Sequence, residues 1–290
     1  EDTTLNINRW IIELGALFGS LDTTAKEPVN FSISSLELRQ ARFSLVNYNA
    51  EPAESGFDYT NIRFRDLTAI AENFQMKDGE IGINIKHLSG TERTSGVKIE
   101  EFRTNLTFAP TFLELDQLNL RSQGSQIKDY LRMDLVGPAG YSDFVNQVKL
   151  TLRMDETKIL LDDLRIFVPS LPEFEDVIYL SGDVEGTVSD MKSEEFLIRL
   201  GEKTAIFGAF ELDGLPDIKK TYINLSLKNS VISARDLAPY LTPELEKEIN
   251  KFNLIRLDAD FTGLPTRFTT NGNFRTSIGN LVGRINYDLV

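Results

Sequence analysis

Val148-Lys-Leu-Thr-Leu-Arg-Met154 alternates apolar and polar residues without interruption. A strand turns successive side chains to opposite faces, so this run reads as a half-buried strand. The same pattern spreads in both directions. Upstream it recurs in Val29-Asn-Phe-Ser-Ile33, Phe43-Ser-Leu45, Asn61-Ile-Arg-Phe64, Ile81-Gly-Ile-Asn-Ile85, Asn105-Leu-Thr-Phe108 and Leu118-Asn-Leu120. Downstream it recurs in Phe196-Leu-Ile-Arg-Leu200, Tyr222-Ile-Asn-Leu-Ser-Leu227, Leu254-Ile-Arg-Leu-Asp-Ala-Asp-Phe261 and Phe268-Thr-Thr-Asn-Gly-Asn-Phe274. Thr204-Ala-Ile-Phe-Gly-Ala-Phe-Glu-Leu212 is apolar on both faces in its middle, so alternation does not fix which parity faces inward there. A new strand begins roughly every 8–15 residues, the spacing of a β-sandwich, a barrel or a solenoid-like array.

The breaks carry turn chemistry. Lys77-Asp-Gly79 is a hairpin signal. Asp213-Gly-Leu-Pro216 and Thr262-Gly-Leu-Pro265 repeat one another just after strands that carry Phe210 and Phe261, and both predict strand ends. Helix is scarce. Residues 6–18 place Ile7, Trp10, Ile11, Leu14 and Leu17 on one stripe, and residues 236–252 do the same with Leu237, Tyr240, Leu241, Leu245 and Ile249. Asp236 reads as the N-cap of the second helix, and Pro239 and Pro243 divide it into short pieces. Both helices are expected to cap the end or edge of a sheet.

With 41% hydrophobic and 26% charged residues over 290, the chain is long enough for two domains or one extended array. A net charge of −13 gives no global basic footprint for nucleic acid or for an anionic membrane surface. The absence of cysteine excludes disulfides and thiolate zinc sites. No run of about 18 apolar residues is present to span a bilayer as a helix. The ends, Glu1 and the strand-like Asn286-Tyr-Asp-Leu-Val290, read as cut from something longer.

Catalytic constellations are missing from the sequence, and the chain is expected not to be an enzyme. His87 is the only imidazole and is expected at a surface or edge just after its strand, so a Ser-His-Asp triad would have to be built on it. No nucleophile elbow or phosphate-cradling loop occurs. Asp162-Asp163, Glu173-Phe-Glu175-Asp176 and Glu244-Leu-Glu246-Lys-Glu248 are acidic clusters, but none matches a calcium loop, and clusters are expected at this overall acidity. No cofactor or metal is expected.

The run Tyr179-Leu-Ser-Gly-Asp-Val-Glu-Gly-Thr-Val-Ser-Asp-Met191 continues through Phe196-Leu-Ile-Arg-Leu-Gly-Glu-Lys-Thr204 and Ile206-Phe-Gly-Ala-Phe-Glu-Leu-Asp-Gly-Leu-Pro216. Val231-Ile-Ser-Ala-Arg-Asp-Leu237 and Asp260-Phe-Thr-Gly-Leu264 follow. This order of strands and glycine-rich breaks resembles the translocation-and-assembly-module B (TamB) family of the wider AsmA-like group of bridge-like envelope proteins. The likeness covers residues 130–290 and, more loosely, residues 1–130. It rests on strand and glycine patterns rather than on catalytic motifs.

The resemblance implies an all-β fold, mainly β with a few short helices. The sheet would be elongated, antiparallel and curled into an open apolar groove, a folded-taco shape. One such segment would fill residues 1–290: an N-terminal helix and linker over 1–28, a first β section over 29–135, and a second over 136–290 with the short helix near 236–252. The implied activity is passage of phospholipid across the periplasm between inner and outer membranes. The implied partners are an outer-membrane β-barrel protein of the TamA type and an inner-membrane anchor outside this segment. Exposed methylenes cost about 0.8 kcal/mol each, so moving acyl chains requires a continuous apolar track, which period-two strands supply. Groove candidates are Ile81, Ile83, Ile85, Leu106, Phe108, Leu118, Leu120, Leu150, Leu152, Phe196, Ile198, Ile206 and Phe210. Two other readings compete with the conduit: a scaffold or chaperone for outer-membrane protein assembly, and an extracellular glycan-binding β module. The single tryptophan and the excess of Phe over Tyr argue against the glycan reading.

Overall fold

Alternation becomes strand over most of the chain. The computed structural model describes residues 30–46, 57–58, 61–77, 79–136, 143–166 and 173–288. The expected helix over 6–18 lies outside them. The chain divides into two compact units, residues 1–123 with 163–172, and residues 124–162 with 173–290.

The first unit is a meander of β1 (Phe31–Val46), β2 (Asn61–Lys77), β3 (Glu80–Glu92), β4 (Lys98–Ala109) and β5 (Phe112–Ser122). The second holds β6 (Ser125–Leu135), β7 (Val148–Leu160), β8 (Val177–Gly186), β9 (Asp190–Leu200), β10 (Thr204–Asp213), β11 (Tyr222–Ser233), β12 (Leu254–Leu264), β13 (Arg267–Thr276) and β14 (Gly279–Asp288). Within each unit every strand pairs antiparallel with its sequence neighbours, and the last does not return to the first, so neither unit closes into a barrel. The fold is all-β with a few short helices. Both Gly-Leu-Pro tetrads stand where strands end, at β10 and β12, and of the Lys77-Asp-Gly79 hairpin signal Lys77 ends β2 and Gly79 precedes β3, residue 78 lying outside the described residues.

Register shifts interrupt most pairings, and each falls on two consecutive polar residues. Arg39-Gln40 marks the shift between β1 and β2, Glu72-Asn73 one between β2 and β3, and Asp116-Gln117 one between β4 and β5. In the second unit the doublets are Asp155-Glu156 on β7, Glu194-Glu195 on β9 and Lys228-Asn229 on β11. A bulge adds one residue to one strand, so two outward side chains follow each other before alternation resumes on the same face. The second member is left-handed in Gln40 (φ 49°), Asn73 (54°), Gln117 (52°), Glu156 (52°) and Asn229 (49°). Bulges twist and bend their strands, which curls each sheet. They also unpair backbone groups, and small buried hydroxyls on the next residue meet them. Ser230 Oγ accepts from Phe207 N at 3.0 Å and donates to Phe207 O at 3.0 Å, and Thr157 Oγ1 accepts from Lys128 N at 3.2 Å. The β12–β13 and β13–β14 pairings have no shift.

A helical insertion separates β11 from β12: α2 (Ala234–Leu237), a 3-10 turn (Ala238–Tyr240) and α3 (Pro243–Asn250), with α1 being the single turn Phe144–Gln147 earlier in the chain. The prolines divide the insertion as the sequence suggests, but Asp236 is not the cap. Ser233 and Thr242 cap the two helices through their hydroxyls. Asp236 lies inside α2, and its carboxylate faces the β9–β10 turn instead, accepting from the backbone N–H of Glu202, Lys203 and Thr204.

Candidate functional site

The registers sort every strand into two faces. In the first unit Ile81, Ile83 and Ile85 of β3 stand opposite Phe108, Leu106 and Thr104 of β4. Phe108, Leu106 and Phe102 then stand opposite Leu113, Leu115 and Leu120 of β5. The bulge at Gln117 keeps Leu118 on the side of Leu120. Across β2 the same face continues through Met76 opposite Ile81, and Ala71 opposite Ile85.

In the second unit Leu150 and Leu152 of β7 lie between Met133 and Leu131 on one side and Gly186 and Val184 on the other. Phe196 and Ile198 of β9 lie opposite Gly208 and Ile206 of β10, and Phe210 lies opposite Leu225 of β11. All thirteen groove candidates therefore share the apolar face of their own unit. The parity left open in β10 is settled: Ile206, Gly208 and Phe210 face one way, while Phe207 faces the other, opposite Leu197.

The tightest part of the apolar face is Phe196, Leu227, Leu257 and Ala259, with Ile198, Ile206, Phe210, Leu225 and Phe261 against them. Phe196 and Phe210 meet edge-on at 5.3 Å, and burying such rings contributes about 1.5–3 kcal/mol each. Away from this knot the face is not sealed. Of the thirteen candidates only Leu118 and Phe196 are buried, and the other eleven keep part of their surface in solvent.

The cross-strand ion pairs among the described residues lie on the opposite face. Lys149 pairs with Glu185, Arg199 with Glu156, and Arg121 with Glu100 and Glu101. Arg153 lies 4.6 Å from the Tyr130 ring centre, and Arg199 lies 5.5 Å from that of Tyr179. These are exposed pairs, worth under about 1 kcal/mol each, and they mark the wet side of the sheet more than they hold it together.

Residues considered for chemistry are dispersed. His87 is not beyond its strand but inside β3, half-buried, with Nε2 at 3.2 Å from Ser89 Oγ. The strand runs past it because the Lys86-His87 doublet is itself a bulge. Among the described residues no three His, Cys, Asp or Glu side chains converge as metal ligands. Two carboxylates are structural anchors: Glu92, which the sequence did not single out, and Asp176 of the acidic cluster at 173–176. Glu92, only 2% exposed, accepts from Arg63 N through Oε1 and from Thr94 N, Ser95 N and Ser95 Oγ through Oε2. Desolvation pulls its pKa up, but these donors outweigh it and hold the carboxyl below its usual range. Tyr240 donates to Asp176 Oδ2 at 2.7 Å, tying the helical insertion to the strand-entry segment before β8. Burial first, and then the carboxylate beside it, push the Tyr240 hydroxyl well above its ordinary pKa.

Among the described residues no helix is long and apolar enough to cross a membrane. Set against protein-family models, curated proteins and solved structures, the chain finds no match in any of the three.

Proposed function

We propose that this chain is a non-enzymatic segment of a lipid conduit, of the kind its resemblance to the TamB family implies, carrying phospholipid through the periplasm between inner and outer membranes. One observation carries the reading. Each unit presents an apolar face that continues from strand to strand, stays partly open to solvent and has its cross-strand ion pairs on the other side. A soluble protein rarely leaves so large a contiguous apolar surface uncovered unless something apolar visits it. Acyl chains suit it: they need area and continuity, not directional polar groups, and the candidates supply Leu, Ile and Phe without polar handles. Transport of this kind needs no nucleophile, metal or cofactor. The expected partners are phospholipid and an outer-membrane β-barrel protein of the TamA type, with the full-length protein anchored in the inner membrane outside this segment.

Photo-crosslinking in the cell tests the proposal. A photoreactive residue is placed at Phe108, Leu152 or Phe210, with controls at Lys149 and Arg153 on the polar face of β7. Phospholipid adducts at the three apolar positions and not at the controls are the expected result. A folded protein with no lipid adduct at any of the three would overturn the conduit and move the assembly-scaffold reading ahead.

A further inference from the structure

We propose that Arg256 and Arg275 form a clamp for a phosphate group on the polar face of the second unit. β12 and β13 pair without a register shift, and this places the two residues directly opposite each other. Side chains so placed have Cβ atoms about 4.5–5.5 Å apart, and like charges there destabilise the sheet. The arrangement belongs to a longer row. Lys158, Tyr179 and Arg199 lie in register on β7, β8 and β9, and the row continues through Ala205 and Val231 to Arg256 and Arg275. Four cations stand in that row and no carboxylate does.

The two arginines stand directly opposite each other with no counter-charge between them, whereas several cations of this face are paired. Lys149, Arg199 and Arg267 each pair with an acid, Arg267 with Asp288 at 3.1 Å from the far end of the same strand. Arg256 and Arg275 are exposed, and neither forms an ion pair among the described residues. Asp258, two residues along on the same face of β12, accepts from Asn229 N through Oδ1 at 2.7 Å in the β11 bulge and forms no ion pair with either arginine among the described residues. Two planar guanidiniums carried on directly opposed residues can offer paired N–H forks, which match the oxygens of a phosphate, and its negative charge removes their repulsion. In a chain of net charge −13 such capture is local rather than a property of the whole surface. Both a lipid headgroup and free inorganic phosphate supply this chemistry. The clamp lies on the face opposite the apolar one and does not depend on the conduit reading.

The test compares the protein with R256Q and R275Q, and with R267Q as a paired-cation control. Thermal unfolding is followed in inorganic phosphate and in chloride of equal ionic strength, and the arginine Nε resonances are followed through a phosphate titration. Phosphate is expected to raise the unfolding temperature of the parent and of R267Q. R256Q and R275Q are expected to bind it about tenfold more weakly each, the loss of one charged hydrogen-bonding partner. Flotation with phosphatidylcholine vesicles, with and without phosphatidic acid, separates the sources. Vesicle binding lost in R256Q and R275Q assigns a headgroup, whereas a response to inorganic phosphate alone assigns the free anion. Equal unfolding temperatures in phosphate and chloride, with vesicle binding absent or unchanged by both substitutions, would overturn the clamp. So would a phosphate response that survives R256Q combined with R275Q.

Discussion

Asp236 Oδ2 accepts the backbone N–H of Thr204 at 2.7 Å, and Thr204 Oγ1 in turn accepts the backbone N–H of Ser233 at 3.0 Å. The helical insertion and the β9–β10 turn are thereby locked to each other by bonds that span 29 and 32 residues of sequence. The carboxylate also takes Lys203 N at 2.9 Å. Asparagine would put an amide donor against donors, so Asp236→Asn is expected to cost about 1–2 kcal/mol in urea unfolding, allowing for partial exposure. The effect depends on pH. Desolvation raises the Asp236 pKa, but the turn N–H groups outweigh it and leave it lowered in the folded protein. Its contribution is therefore complete above the unfolded value near pH 4 (about 3.9) and is lost as pH falls through the lower folded value. The gap between the parent and Asp236→Asn should close with acid below about pH 4, and a gap constant from neutral pH to pH 2 would refute the linkage.

Gly208 lies on the apolar face between Phe196 and Leu227, and a Cβ there would stand 2.1 Å from the Ser226 carbonyl oxygen. The strands approach so closely because β9 and β11 bulge on either side of β10. Gly208→Ala is expected to cost about 1–3 kcal/mol by forcing backbone apart. Gly82, in β3, has no heavy atom within 4 Å of the same position. Gly82→Ala should be neutral or slightly stabilising. Chemical denaturation of both variants checks the contrast, and equal losses would mean the close approach at Gly208 is not real.

Much of this architecture was legible in the sequence. Period-two alternation located most of the strands, and the same parity put Ile81, Leu152 and Phe196 on the apolar faces. β6 was missed because its first half, Ser125-Gln-Ile-Lys-Asp-Tyr130, does not alternate: its pairing with β7 skips register there, and only Leu131, Met133 and Leu135 restore the period. The bulges had a signal that went unread, the polar doublets Asp155-Glu156 and Lys228-Asn229 set inside otherwise alternating runs. What the sequence could not reveal is which residues meet across strands. The Arg256–Arg275 opposition and the Asp236 contact with the β9–β10 turn exist only once register is fixed, and helix-capping preference misplaced Asp236 because a Ser three residues earlier already served.

Asn229 tests whether the left-handed bulge residue matters. Its φ of 49° is open to Asn and Gly and strained for a β-branched side chain. Asn229→Val is expected to cost about 1–2 kcal/mol, although valine favours strands elsewhere, while Asn229→Gly should lie within about 0.5 kcal/mol of the parent. The bulge also delivers Ser230 Oγ to Phe207, so amide exchange at Phe207 should quicken in Asn229→Val and not in Asn229→Gly. A valine variant as stable as the parent would show that the bulge does not need this conformation.

Thr270 is 3% exposed on the apolar face, opposite Phe261 on one side and Ile285 on the other. Its hydroxyl is buried and has no hydrogen-bond partner among the described residues. A hydroxyl in that position loses its water and gains nothing in exchange, whereas valine has the same shape and a methyl in its place. Thr270→Val is therefore expected to stabilise the second unit by about 1 kcal/mol, with the β-branched shape preserved for the strand. Thr269 in the same strand faces the polar side, where its Oγ1 donates to Asn286 Oδ1 at 2.9 Å. Thr269→Val should not stabilise. Urea unfolding of the two variants side by side decides the matter: a loss of stability in Thr270→Val would mean that its hydroxyl is hydrated, and hence that water reaches the apolar face even between β12 and β14.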